Sequence, residues 1–168
     1  MPEAEPAVSA LRLVHDPSAK DGAPAHVTLI FPFRPSEEID DECLARLRRL
    51  FGSFEPFSLT IREIGRFPDT LWLAPESAEP VRRLTEALTR EFPECPPYGG
   101  AFTDIVSHLT VAYGDEPTLA KVEEILAGTL RTPIEAQIEA CSLLGLSPDG
   151  WREIGRFALK GSPRPTPP

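Results

Sequence analysis

The sequence predicts an α+β domain in which one unit of helices and strands occurs twice. The chain has 168 residues, of which 41% are hydrophobic, and this is enough for one domain with a sizeable core. Segments that alternate with the period of a strand are interspersed with segments of helical spacing. Their order is strand, helix, strand, strand, helix, followed by strand, helix, strand, strand. This repetition of element order indicates a duplicated unit.

The folded domain is expected over residues 8–160. Residues 1–7 contain only Met, Pro, Glu and Ala and predict a disordered N-terminus. Residues 161–168 form a proline-rich tail that cannot make the hydrogen bonds of a ladder, so disorder is expected there as well.

The first elements of the chain surround a β-rich run. Loose alternation over Val8–Val14 predicts a strand. The β-rich segment His26–Phe31 predicts a second strand, which Pro32 ends. Apolar residues at helical spacing then predict a helix that begins at Ser36, with acidic residues in its first turn, and closes at Gly52.

A hairpin and a helix complete the first unit. Period-two alternation predicts a strand over Phe57–Arg62, with Leu71–Leu73 as its partner across a turn at Pro68-Asp69. Apolar residues on one face predict a helix over Glu79–Phe92, and residues 93–100 are expected to be a loop.

The second unit repeats this order. A strand is expected over His108–Tyr113 and a helix from Pro117 to about Leu126. Two last strands are expected over Ile134–Leu144 and Trp151–Leu159. The turn residues of Ser147–Gly150 lie between these strands and predict a hairpin.

An exact repeat of six residues is weaker evidence for duplication than the order of the elements. The hexapeptide Arg62–Phe67 recurs letter for letter at Arg152–Phe157. The two copies fall in different strands of their units, so we interpret the match as coincidence or similar hairpin chemistry. The order of the elements is the better indication of a repeat.

Charge restricts the class of partner. The net charge is −9, from 26 acidic and 17 basic residues. An acidic surface repels a phosphate backbone, so an extended footprint on duplex nucleic acid is not expected. A small nucleotide, or one end of an RNA, can still be bound at a local positive region.

The cysteines and the apolar segments of the chain indicate the cellular compartment in which the protein is expected. Three scattered cysteines, Cys43, Cys95 and Cys141, include no C-x-x-C pair, which argues against a disulfide framework and a structural zinc site. The N-terminus lacks the pattern of a signal peptide, and no apolar run is long enough to span a bilayer. We therefore expect a soluble, cytosolic monomer without a membrane partner.

Two histidine-containing tripeptides are the candidate functional residues. Because side chains alternate in a strand, His26 and Thr28 should face one side, about 7 Å apart. The same holds for His108 and Thr110. If the two units pack symmetrically, the two pairs meet across a single groove.

Such a groove suits phosphoryl chemistry. Opening a cyclic phosphate requires a base for the attacking water and an acid for the departing oxygen, and imidazole exchanges protons most readily near neutral pH. Threonine hydroxyls can donate to the non-bridging phosphate oxygens. This chemistry requires no metal ion, and a zinc site is disfavoured because threonine is a poor ligand.

The two motifs resemble those of a known family. His26–Leu29 and His108–Val111 are similar to the paired H-x-T-x motifs of the 2H phosphoesterase superfamily, specifically its 2′-5′ RNA ligase-like branch. The context over residues 24–33 and 102–113 is similar as well. The resemblance covers residues 8–160.

The resemblance implies a bilobal α+β fold, with two antiparallel sheets and flanking helices related by a pseudo-twofold axis around a central cleft. It also implies metal-independent chemistry, without a cofactor, on 2′,3′-cyclic phosphate ends, related cyclic nucleotides or 2′-5′ linkages. His26 and His108 would be the acid–base pair, and Thr28 and Thr110 the phosphate ligands.

One departure from the family leaves alternatives open. Several relatives have a basic residue shortly after the second motif, whereas Ala112–Asp115 stands here. Cyclic phosphodiesterase activity is the first hypothesis. The alternatives are 2′-5′ RNA ligase activity and a non-catalytic module that binds nucleotides or RNA ends.

Three further residues are candidates for substrate binding. Arg34, at the end of the first motif segment, could approach the phosphate, although a solvated surface arginine is the commoner case. Phe102 and Tyr113 could stack on a base, although aromatic residues in β-rich runs more often belong to a core.

Overall fold

The architecture combines helices with two antiparallel sheets. The computed structural model describes residues 1–102, 104–130 and 132–161. Within these ranges the five helices are α1 (Glu5–His15), α2 (Pro17–Lys20), α3 (Asp41–Gly52), α4 (Glu79–Glu91) and α5 (Glu116–Thr129). The strands are β1 (Phe57–Phe67), β2 (Thr70–Pro75), β3 (Leu109–Tyr113), β4 (Ile134–Ile138), β5 (Ala140–Ser147) and β6 (Gly150–Ala158). In the described ranges, no helix has the length and apolar character needed to cross a membrane.

One sheet has four strands and the other has two. The larger sheet has the order β3-β2-β1-β4, with antiparallel pairing throughout, and the smaller one is the β5-β6 hairpin. The predicted α+β class with two antiparallel sheets is therefore confirmed.

Each sheet is covered by its own helices. Helices α1 and α5 contribute buried residues such as Val8 and Leu119 to the core of the four-stranded sheet. Helices α3 and α4 form a second core with β6, in which Phe51 stacks on Phe157 at 5.7 Å between ring centroids. Leu29, in the first motif, packs against both cores. The motif therefore lies where the two lobes meet.

Several elements agree with the sequence predictions. Strands β1 and β2 pair across Pro68-Asp69, and β5 and β6 pair across the turn that ends at Gly150. Helix α4 buries Val81, Leu84 and Leu88 on one face. Each of these elements has strong local signals, namely a turn sequence or a regular apolar spacing.

The N-terminal predictions are wrong. Val8–Val14 is not a strand but part of α1, in which Val8 and Arg12 are buried one turn apart while Val14 is exposed. Of residues 1–7, which were expected to be disordered, residues 5–7 form the first turn of this helix, and Ala4 is fully buried. The exposed face of this helix carries the apolar residues Leu13 and Val14, which gives the segment the loose alternation typical of a strand. Of the predicted tail over 161–168, residues 162–168 lie outside the described residues.

The segment His26–Phe31 is not a strand, since none of its residues pairs in a sheet. Neighbouring backbone groups bond to loops and side chains instead. Ala25 donates to Glu5 at 2.6 Å, and the carbonyl of Phe31 accepts from the amide of Tyr98 at 2.6 Å. Prolines at 24 and 32 have no N–H to give to a ladder. The β-rich composition of this segment therefore does not lead to strand pairing.

Three further details of the secondary structure differ from the predictions. The helix expected from Ser36 begins at Asp41, because Asp40 caps it by accepting from the amide of Cys43 at 2.8 Å. Ser36–Glu38 forms only a 3₁₀ turn. The strand expected over Ile134–Leu144 is divided at Glu139 into β4 and β5, which belong to different sheets. The loop expected over 93–100 contains a 3₁₀ turn at Pro97–Gly100.

The two hexapeptide copies occupy non-equivalent positions. Arg62–Phe67 ends β1, before its hairpin turn, whereas Arg152–Phe157 lies in β6, after its turn. The copies are therefore not a structural repeat.

Candidate active site

His26 is held by a framework at the N-terminal side of its segment. Its Nδ1 lies 2.7 Å from the carbonyl oxygen of Pro24. The residues on both sides of Pro24 are fixed, since Ala25 donates to the carboxylate of Glu5 at 2.6 Å and the carbonyl of Ala23 accepts from Arg12 at 3.3 Å. The imidazole is therefore oriented by helix α1 through the loop that precedes it.

A buried ion pair supports this framework. Arg12 and Asp16 are 2% and 1% exposed and are joined by two hydrogen bonds of 3.0 and 2.8 Å. The other oxygen of Asp16 accepts from the amide of Ser18 at 2.9 Å and so caps α2. A buried charge pair of this kind is costly to break because the remaining partner stays unsolvated. The loop that presents His26 therefore has a rigid base.

His108 is supported differently, by aromatic rings. It lies one residue before β3, and its ring contacts Phe67 edge-on at 5.2 Å and Trp72 at 5.9 Å between centroids. Trp72 on β2 faces Gly65 on β1, and only a glycine leaves room for the indole there. The sheet thus provides an apolar platform for His108.

The two histidines share one hydrogen-bonding arrangement. His108 Nδ1 lies 2.7 Å from the carbonyl of Val106, two residues earlier, just as His26 Nδ1 contacts the carbonyl two residues before it. A carbonyl oxygen only accepts hydrogen bonds, so Nδ1 must carry the proton in each ring. The partner of one ring nitrogen sets the role of the other. Nε2 is therefore the atom of each imidazole that is available for proton transfer.

The four motif side chains line one cleft. His26, Thr28, His108 and Thr110 all contribute to a cavity of about 1770 Å³ between the two sheets. All four are half-buried. Neither threonine hydroxyl bonds to another residue in the described part of the chain, so both are available to an oxyanion. The cleft therefore contains two imidazole rings and two unbonded threonine hydroxyl groups.

Burial affects the protonation of His26. Removal from water lowers the pKa of His26 below its usual value, against a weaker opposing effect of the hydrogen bond to Pro24. Desolvation disfavours the charged imidazolium, so the neutral ring predominates at pH 7.

The family comparison agrees with this geometry. A model of the 2′-5′ RNA ligase superfamily matches residues 1–149. The chain belongs to this superfamily. No curated protein matches the sequence.

Three solved structures resemble this superfamily member. TT0787 of Thermus thermophilus is 26% identical, with a TM-score of 0.58 over 83% of this chain and 81% of that one. LigT of E. coli, crystallised with NADP+, is 19% identical, with a TM-score of 0.55 over 95% and 92%. A phosphoesterase is 18% identical, with a TM-score of 0.55 over 95% and 93%. The last two likenesses establish the fold alone.

The three candidates for substrate binding, Arg34, Phe102 and Tyr113, have different surroundings in this superfamily member. Arg34 lines the cleft but forms an ion pair with Glu94, so its charge is already compensated. Phe102 is 63% exposed and contacts Tyr98 edge-on, and Tyr113 is 46% exposed. Both Phe102 and Tyr113 line the cleft. Neither ring is core, contrary to the commoner expectation for aromatic residues.

Sequence reasoning missed the framework residues Glu5, Arg12 and Asp16. The four-residue spacing of Arg12 and Asp16 is visible in the sequence, but the predicted strand over Val8–Val14 includes Arg12 and ends before Asp16. It also missed Arg156, which lines the cleft from β6. Among the described residues, no three His, Cys, Asp or Glu side chains are grouped as metal ligands would be.

Proposed function

We propose that the protein is a phosphoesterase that hydrolyses 2′,3′-cyclic phosphates or related phosphodiesters at a nucleotide or RNA end. The observation that carries this proposal is the matched pair of histidines in one cleft, each with Nδ1 bonded to a carbonyl 2.7 Å away. Two imidazoles with free Nε2 atoms supply both proton transfers that the reaction needs.

The reaction balances with these two groups alone. The neutral histidine accepts a proton from water at Nε2 while the water oxygen forms a bond to phosphorus. The bond from phosphorus to one ribose oxygen breaks, and the protonated histidine donates its Nε2 proton to that oxygen. The product is a phosphomonoester beside a free hydroxyl group.

The other cleft residues bind the substrate. Thr28 and Thr110 donate hydrogen bonds to the non-bridging oxygens, where negative charge increases in the transition state. Phe102 and Tyr113 offer exposed faces on which a base can stack. Arg34 approaches the phosphate only if it exchanges its bond to Glu94. The mechanism assigns no step to a metal ion or cofactor.

Hydrolysis of 2′,3′-cyclic nucleotides in EDTA tests the proposal. We expect turnover by the wild type, and a loss of at least about 100-fold for His26→Ala and for His108→Ala, as removal of a general acid or base produces. Circular dichroism controls for folding. Normal turnover by either variant would contradict the proposed roles.

Two alternatives are distinguishable outcomes of the same experiment. Addition of an RNA with a 5′-hydroxyl end would reveal 2′-5′ ligation as a joined product. Tight binding of cyclic-phosphate nucleotides without turnover would identify a binding module.

A further inference from the structure

A small basic depression lies beside the cleft. It has a volume of about 220 Å³ and is formed by the end of α3 and the end of β6. Its lining residues are Arg48, Gly52, Arg156, Phe157, Ala158 and Lys160. Three of these described residues are cations and none is acidic. We call the trio Arg48, Arg156 and Lys160 the basic notch.

The cations of the basic notch are not neutralised. All three are exposed, and none has an ion pair in the part of the chain that the structure describes. Most other arginines on the surface do have carboxylate partners, as Arg66 has in Glu116 and Glu123. Three like charges around one depression repel one another. In a protein of net charge −9, this local concentration of positive charge favours an anionic ligand.

The notch is continuous with the cleft through Arg156. Side chains alternate along β6, and Phe157 points into the core against Phe51. Arg156 therefore points away from that core, and it lines both the basic notch and the cleft that contains His26 and His108. Arg156 therefore connects the cleft to the depression that Arg48 and Lys160 line.

We propose that the basic notch binds backbone phosphates of the RNA strand that leads away from the reacting end. This inference rests on the proposed function, which places a cyclic phosphate at the histidines. It makes the preferred substrate an oligonucleotide end rather than a mononucleotide. The basic notch would also supply the positive charge that is absent after the second motif, where Ala112–Asp115 stands.

Binding measurements test the proposal independently of catalysis. Fluorescence anisotropy would compare a single-stranded five-nucleotide RNA that ends in a 3′-phosphate with a 3′-mononucleotide. The test variant is Arg48→Ala/Lys160→Ala. The control is Arg49→Ala/Lys121→Ala, which removes two exposed cations outside the basic notch. Both variants change the net charge equally.

The test variant should bind the oligonucleotide roughly fivefold more weakly than the wild type, as expected for two exposed charge contacts. The affinity of the test variant for the mononucleotide should be unchanged. The control variant should bind both the oligonucleotide and the mononucleotide as tightly as the wild type does. The slope of log affinity against log salt should decrease by about 1.4, since each lost phosphate contact on a single strand contributes about 0.7.

Three results would overturn the inference: wild-type affinity in the test variant, an equal loss in the control, or an equal loss for the mononucleotide. Failure of the proposed function gives a different result: the wild type would then hydrolyse neither 2′,3′-cyclic nucleotides nor RNA with a 2′,3′-cyclic phosphate end. The binding comparison remains decisive in that case.

Discussion

Gly65→Ala tests how the sheet supports His108. A Cβ at position 65 would lie 2.1 Å from one ring carbon of Trp72 and 2.4 Å from two others. Carbon atoms pack at about 3.5–4.0 Å, so the indole must move by about 1.5 Å. It has little room to do so, because Phe67 and His108 contact it at 5.2 and 5.9 Å between ring centroids.

The displacement of the indole lowers the free energy of unfolding. Overpacking of this kind destabilises a protein by about 1–3 kcal/mol. In a chain of this length each kcal/mol lowers Tm by about 2–4 °C, so we expect Tm to decrease by about 2–12 °C. If His108 moves with the indole, kcat on a 2′,3′-cyclic nucleotide should fall by about 10- to 100-fold, since a displacement of about 1 Å has effects of that size.

Thermal unfolding by circular dichroism, together with steady-state kinetics, measures both effects. Gly52→Ala is the matched control, because an added Cβ there meets no atom within 4 Å. It should leave kcat unchanged and raise Tm by about 1–4 °C, because replacing an unstrained helical glycine with alanine stabilises a protein by about 0.4–1 kcal/mol. Wild-type values for Gly65→Ala would refute the argument that Gly65 and Trp72 together position His108.

Three other predictions concern the framework, protonation and thiols. Glu5→Ala removes the acceptor for the amide of Ala25, so it should lower kcat with little change in KM and allow His26 to populate both tautomers in ¹⁵N NMR spectra. Glu5→Gln retains an acceptor oxygen and should restore both properties, whereas equal behaviour of the two variants would contradict a positioning role. Burial lowers the pKa of His26, so NMR titration should give a value below about 6.5. The contribution of the neutral ring to the free energy of unfolding should be complete above about pH 6.5 and should decrease as the pH falls toward the lowered pKa. If the free energy of unfolding instead increases as the pH falls through this range, and His26→Gln removes that increase, the assignment is wrong. Partial burial also raises the pKa of Cys141 to about 12, so this thiol should react with Ellman's reagent at pH 8 much more slowly in the native protein than after denaturation, and equal rates in the two states would contradict the raised pKa.

Local signals in the sequence were sufficient for part of the fold. The β1–β2 turn at Pro68-Asp69 and the apolar face of α4 are specified by residues close together in the chain. The two His-x-Thr tripeptides are local signals of the same kind. The structure brings their side chains into one cleft.

Other features depend on contacts between distant residues. Helix α1 resembles a strand in sequence because its exposed face carries Leu13 and Val14, at 58% and 60% exposure. The first motif lacks a ladder because its neighbours bond to Glu5 and Tyr98. The basic notch joins α3 to β6, more than a hundred positions apart in the sequence. Tertiary contacts of these kinds override local preference and cannot be predicted from it.

A double-mutant cycle on the two histidines tests the central claim most directly. Turnover of a 2′,3′-cyclic nucleotide in EDTA would be measured for His26→Ala, His108→Ala and the double variant, with folding verified for each. Groups that act as one catalytic unit have strongly non-additive effects. We therefore expect the double variant to be no more than about threefold slower than either single variant. Losses that multiply would show that the two histidines act independently and would contradict a single shared site.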